Sequence, residues 1–168
     1  MAFEKIVIVT RKTRLAELIE RFNTRAQAKF YIEHSGGDFA EYEREDAAYA
    51  KALTAVRQSL EVGLKVQLID RELAPTFLFA PTDLVVTLGQ DGLVANAGKY
   101  LDGQPLAGVN PDPENIDGAL LPFDIDGFIA ALPDALADQR GMREATLAEA
   151  ITSDRQTLYG LNEIFVGV

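Results

Sequence analysis

The segment Asp83-Leu84-Val85-Val86-Thr87-Leu88, followed by Gly89-Gln90-Asp91-Gly92-Leu93, constrains the fold more than any other part of the chain. A compact β-branched run of that length reads as a strand buried on both faces. It enters a tight Gly-x-Asp-Gly turn, then a helical stretch over Asp91–Tyr100, then a second strand over Pro105–Asn110. Strand, helix, strand in that order predicts parallel pairing. Glycines at the C-terminal end of a strand let backbone N–H groups approach a phosphate closely. The carboxylate of Asp91 between them repels phosphate, and it suits a different role, that of accepting a proton from an attacking hydroxyl. The combination suggests phosphoryl transfer to an alcohol.

The rest of the chain extends the same pattern. Lys5–Thr10 (KIVIVT) is a second strand buried on both faces, and Lys65–Asp70 (KVQLID) reads as a further strand. Leu15, Leu18, Ile19 and Phe22 fall at helical spacing after the first strand, while Lys29–Glu33 has no clear period. Ser35-Gly36-Gly37-Asp38 is a break that also starts a helix. Residues 39–60 form an amphipathic helix with Tyr42, Tyr49, Leu53, Val56 and Leu60 on one stripe. Glu41, Glu43, Glu45 and Asp46 read as its solvated face, and His34 as a surface residue. A helix over Asp126–Gln139 is expected to kink or restart at Pro133. Ala145–Thr152 and Leu158–Val168 look like strands that Ser153-Asp154-Arg155-Gln156 could join as a hairpin.

The expected fold is therefore α/β, a Rossmann-like parallel sheet with helices on both faces. In such sheets ligands bind beyond the C-terminal strand ends. Three segments fall on that rim: Arg11-Lys12-Thr13-Arg14, Gly89–Leu93 and Asn110–Glu114. Each has two readings. Arg11, Lys12 and Arg14 form a solvated loop or a phosphate clamp. Asn110, Asp112 and Glu114 shape a Pro-rich turn or contact a ligand. Gly89–Gly92 is a plain strand-to-helix turn with Asp91 as cap, or a nucleotide contact.

Composition narrows the function. The 168 residues are 48% hydrophobic, enough for one domain with a real core. The net charge of −10 argues against a nucleic-acid partner. It is uneven, with +4 over residues 1–30 and −14 over the rest, so a positive patch can hold an anion within an acidic protein. The chain has no cysteine and one histidine, His34, which excludes disulfides, thiolate metal sites, His-built metal sites and a Ser-His-Asp triad. No apolar run approaches a membrane span. With the first strand starting at Lys5, no leader is expected, and a reducing, cytoplasmic setting is the simplest one.

At this point the chain resembles the NAD kinase family, the ATP-dependent phosphotransferases that make NADP. Leu88-Gly89-Gln90-Asp91-Gly92-Leu93 stands where that family has Gly-Gly-Asp-Gly-Thr. Leu161-Asn162-Glu163-Ile164-Phe165-Val166-Gly167 is similar to its Asn-Glu segment at the entry to a β-rich second domain. Val9–Arg14 and Gly108–Glu114 look most like the mitochondrial-type branch. The resemblance implies an N-terminal-type nucleotide domain over 1–157 and the start of a second domain over 158–168. It implies ATP, NAD and Mg²⁺ as cofactors and substrates, Asp91 as the base on the 2′-hydroxyl of NAD, and no metal ligand assigned within the chain. It also implies nucleotide contacts from Gly89, Gly92, Arg11, Lys12, Asn110, Asn162 and Glu163. Two departures stand out: Gln90 replaces a glycine at a turn that calls for positive φ, and Leu93 replaces a threonine hydroxyl.

Two other readings compete. One is a non-catalytic nucleotide-binding or assembly module with a decayed motif, which the two departures favour. The other is a lipid kinase of the diacylglycerol or sphingosine type, which shares the Gly-Gly-Asp-Gly pattern but not the Asn-Glu segment. The final Leu161–Val168 reads as an apolar strand still in progress, which suggests a fragment of a longer protein. It also suggests a homo-oligomer that pairs through this edge.

Overall fold

The structure, a computed structural model, describes residues 3–61, 63–137, 141–161 and 164. Four parallel strands form one sheet: β1 (Lys5–Thr10), β2 (Lys65–Asp70), β3 (Asp83–Leu88) and β4 (Leu106–Val109), in the spatial order β2-β1-β3-β4. Parallel central strands must be apolar on both faces. Ile6, Val7, Ile8 and Val9 are accordingly fully buried, and every residue of β3 is buried. Each such side chain contributes about 1.5–3 kcal/mol through removal from water.

Helices cover both faces, as the α/β reading requires. Helix α1 (Arg14–Phe22), α2 (Arg25–His34) and α3 (Phe39–Ser59) connect β1 to β2. Thr13, Thr24 and Asp38 start them, each accepting a backbone N–H from the first turn. On one face, Tyr49, Ala52, Val56 and Leu60 of the α3 segment pack on Ile6, Ile8, Val86 and Leu88. Farther along the chain come α4 (Asp91–Gly98) and α5 (Ile125–Leu136). Phe128 and Leu132 of α5 join the α3 face. On the other face, Leu93 and Ala97 of α4 cover Val7, Val9 and Val85. Phe77 and Phe79, after a 3-10 turn at Arg71–Thr76, pack against the same cluster. Leu15, Ala28, Ile32 and Phe39 make a separate small core among α1, α2 and the start of α3.

Several elements differ in detail from expectation. The segment without clear period is α2, whose only buried residues are Ala28 and Ile32, four apart on one face. Helix α5 runs unbroken through Pro133, and Ala137 N–H still bonds to the Pro133 carbonyl at 2.9 Å. Helix α4 ends at Gly98, and β4 is four residues long. Residues 148–151 (β5) and 157–160 (β6) pair antiparallel as a separate hairpin. Its turn carries Arg155 at φ 69°. The expected Leu161–Val168 strand and the pair Asn162 and Glu163 lie outside the described residues, apart from Leu161 and Ile164. Among the described residues no helix is long and apolar enough to cross a membrane.

Candidate functional site at the strand switch point

From β1 the chain builds outward to β2 on one side, then crosses to β3 and β4 on the other. The order reverses between β1 and β3, and in open α/β sheets the crevice beyond their C-terminal ends is where ligands bind. Arg11 and Lys12 follow β1 there, and the Gly89–Gly92 turn follows β3. The phenol of Tyr49 ties the two ends together. Its oxygen accepts from the Arg11 backbone N–H at 3.0 Å, and its O–H donates to the Leu88 carbonyl at 3.1 Å. Burial pushes the Tyr49 hydroxyl pKa up, against the nearby Arg11 backbone N–H and positive charge, so it stays a protonated donor.

The β1 side is a network of ion pairs, close to buried at Arg11 and open to solvent at Lys12 and Arg14. Arg11 is nearly buried and gives both terminal nitrogens to Glu45 Oε1 at 3.1 Å. Its guanidinium lies 5.3 Å from the Tyr49 ring centre, and its buried Nε has no hydrogen-bond partner. Arg14 bonds the other Glu45 oxygen at 2.5 Å and stacks 4.4 Å from the Tyr42 ring. Lys12 pairs with Glu20 at 2.6 Å. The Thr13 hydroxyl donates to Asp46 while accepting the Ala16 N–H. Burial works against the charge on Glu45 more than any other single influence. Hydrogen bonds from Arg14 and Arg11 together outweigh it and hold the carboxyl below its ordinary range. Glu45 and Asp46 therefore do not sit on a solvated helix face: both are half-buried against the β1 loop.

The β3 side is built by the turn. Gly89 continues the ladder, donating its N–H to the Val109 carbonyl at 3.2 Å. A Cβ at Gly89 would fall 2.9 Å from Leu93 Cδ2 and 3.6 Å from Arg11 Cδ. A side chain there would press on the end of Leu93, which would have to shift. A Cβ at Gly92 would meet nothing within 4 Å, so the α4 N-terminus is open on that side. Gln90 has φ −104° and ψ 168°, ordinary extended backbone, so its side chain costs nothing and no positive φ is required. It occupies the N-cap position without making a side-chain cap bond. Leu93, in place of a hydroxyl, is buried in the core beneath α4.

Asp91 does not cap its own helix. Its two carboxylate oxygens accept the backbone N–H groups of Ala119 (3.0 Å) and Leu120 (2.9 Å). It clasps the 110–121 loop onto the head of α4. Asn110 organises the other end of that loop. It is buried, donates Nδ2–H to the Ile116 carbonyl at 2.8 Å and accepts the Asp112 N–H at 3.0 Å. Asp112 in turn accepts from Asn115, and Glu114 is exposed. The structure thus sets Arg11 beside the Gly89 turn, while the Asp91 carboxylate is turned to the 110–121 loop that carries Asn110. Lys12 makes an exposed ion pair with Glu20. Asn162 and Glu163 are outside the described residues.

Sequence reasoning missed Glu45 and the hydroxyl role of Tyr49. Tyr42, Glu45, Asp46 and Tyr49 share one face at spacings of three and four, so the stripe read as core carried two acids opposite a basic loop. Among the described residues no three His, Cys, Asp or Glu side chains converge as a metal site. The Mg²⁺ that the family resemblance implies finds no protein cage there. No protein-family model matches the chain, and no curated protein does.

Proposed function

We propose that the chain is the nucleotide-handling domain of an NAD kinase-like phosphotransferase. The observation that carries this reading is position: the Gly89-Gln90-Asp91-Gly92 turn lies at the switch point, with the α4 N-terminus open at Gly92. In this reading Arg11 and the backbone N–H groups of Asp91 and Gly92 face the phosphates, the Gly89 N–H being bonded to Val109. Asn162 and Glu163 contact NAD. Asp91 takes the proton of the ribose 2′-hydroxyl as that oxygen bonds to the terminal phosphorus of ATP and ADP leaves. In such chemistry the protein chiefly positions groups and stabilises charge.

One observation favours a second reading, a nucleotide-binding module without turnover. Both Asp91 oxygens already accept N–H groups from the 110–121 loop, as a structural clasp does. Calorimetric titration with NAD and with ATP, alongside an NADP-formation assay with ATP and Mg²⁺, separates the two. The expected result is binding of both nucleotides with little or no NADP formed by these 168 residues, because the resemblance puts much of the NAD site in a further β-rich domain. Whatever NADP forms should fall by about 10²–10⁴-fold in Asp91→Asn, as loss of a general base does. Binding of both nucleotides with no NADP above background at any protein concentration selects the module. No binding of either nucleotide at millimolar concentration overturns both readings.

A further inference from the structure

The two edges of the sheet are treated differently by the chain. Beside β4, Phe123 forms a parallel bridge to Val109 and its carbonyl accepts the Asn110 N–H at 2.7 Å. That edge is covered. Among the described residues nothing pairs with the outer edge of β2, which runs beside β1 in unbroken register over six residues and has no proline. Four of its six residues are exposed. Edge strands left in this state are normally blunted by a bulge, a proline, charge or a covering segment.

The face beside that edge is apolar. Val66 and Leu68 are in register with Ile6 and Ile8, which places them on the α3 side of the sheet. They are 36% and 37% exposed, because α3 sits over β1 and β3 and leaves β2 bare. Between α3 and β2 runs a groove of about 470 Å³ floored by Leu53, Leu64, Val66 and Leu68, with Arg57 and Glu61 on its rim.

We infer that β2 pairs antiparallel with β2 of a second copy, making a continuous eight-stranded sheet across a twofold axis at Gln67. The unpaired backbone ladder calls for a strand, and the register selects this chain as its own partner. In an antiparallel pair, opposite residues point to the same face, so a twofold axis must pass through a residue. Centring on Gln67 pairs five strand residues and sets Val66 against Leu68 of the other copy, twice. Centring on Leu68 instead opposes Val66 to Asp70 and Lys65 to Arg71. Centring on Val66 overlaps only Lys65–Gln67. The rim adds one charge of each sign, Arg57 and Glu61, so this face meets its copy without net repulsion although the chain carries −10.

Sedimentation of the intact chain at micromolar concentration should give a dimer. Val66→Lys with Leu68→Lys should convert it to a monomer with unchanged far-ultraviolet circular dichroism. The chain has no cysteine, so Gln67→Cys tests the register independently of any effect on folding. Opposed Cα atoms about 4.5–5.5 Å apart suit a disulfide, and mild oxidation should cross-link most of the protein, whereas Lys65→Cys should not. A monomeric wild-type chain overturns the inference. So does a dimer that survives the double lysine substitution, or a Gln67→Cys dimer whose introduced thiols stay reduced under the same oxidation.

Discussion

Asp91 shows what a single residue can conceal. Its position after a glycine turn suggested a helix cap or a base, yet its carboxylate binds amides 28 and 29 residues further on. No local pattern encodes such a partner, because the contact exists only once α4 and the 110–121 loop have packed. Gln90 is the converse: its spacing suggested a strained turn, and the backbone it adopts is unstrained. Asp91→Ala removes the acceptor for two N–H groups. The expected loss in urea unfolding is about 1–3 kcal/mol, toward the lower end because Ala119 is exposed. Asp91→Asn keeps one acceptor oxygen and should lose about half as much. An alanine variant as stable as wild type would show that the clasp contributes nothing.

At the scale of elements, the strands were the most legible part. β1 and β3 occupy the residues that the β-branched runs marked, because burial on both faces leaves little choice of composition, and β2 occupies its predicted residues although four of its six are exposed. The element least legible was α2, held by two buried residues and a threonine cap. The polar ends of the strands carry information too. Lys5 and Asp83 are directly opposed on β1 and β3 and bond at 3.2 Å. Asp83 is wholly buried, accepts the Ala80 N–H at 2.8 Å, and leaves Oδ1 without a partner. Lys5 is partly exposed and lies over the Phe77 ring. The pair is therefore asymmetric. Lys5→Met strands a buried carboxylate and should cost about 3–5 kcal/mol. Asp83→Asn leaves an ammonium that water can reach and should cost less. Thermal unfolding of both variants checks the order, and the reverse order would show that Lys5 does not compensate the buried charge.

For the whole molecule, charge is the decisive quantity. The first 30 residues carry +4 in a chain of −10, which suggested a basic patch waiting for an anion. The fold offsets part of that charge with acids from α3: Arg11 and Arg14 share Glu45, and Arg25 pairs with Glu43. Sequence could place the basic loop at the rim, since strand order fixes the rim. It could not reveal the acids facing it, which arrive from the middle of a helix more than 30 residues away. Glu45→Gln exposes this balance in two measurements. The carboxyl titrates below its ordinary 4.5 in the fold. Its contribution to stability is thus present above that value and is lost as pH falls through the lower folded value. The gap in stability between wild type and Glu45→Gln should be constant near neutrality and close in acid. The same substitution releases Arg11 and Arg14. If nucleotide phosphates sit at this rim, removing that negative charge and freeing both guanidinium groups should tighten binding of ATP and NAD. A variant that loses stability while binding ATP and NAD no better than wild type would place the phosphates elsewhere, and would leave Arg11 as a strut between β1 and α3.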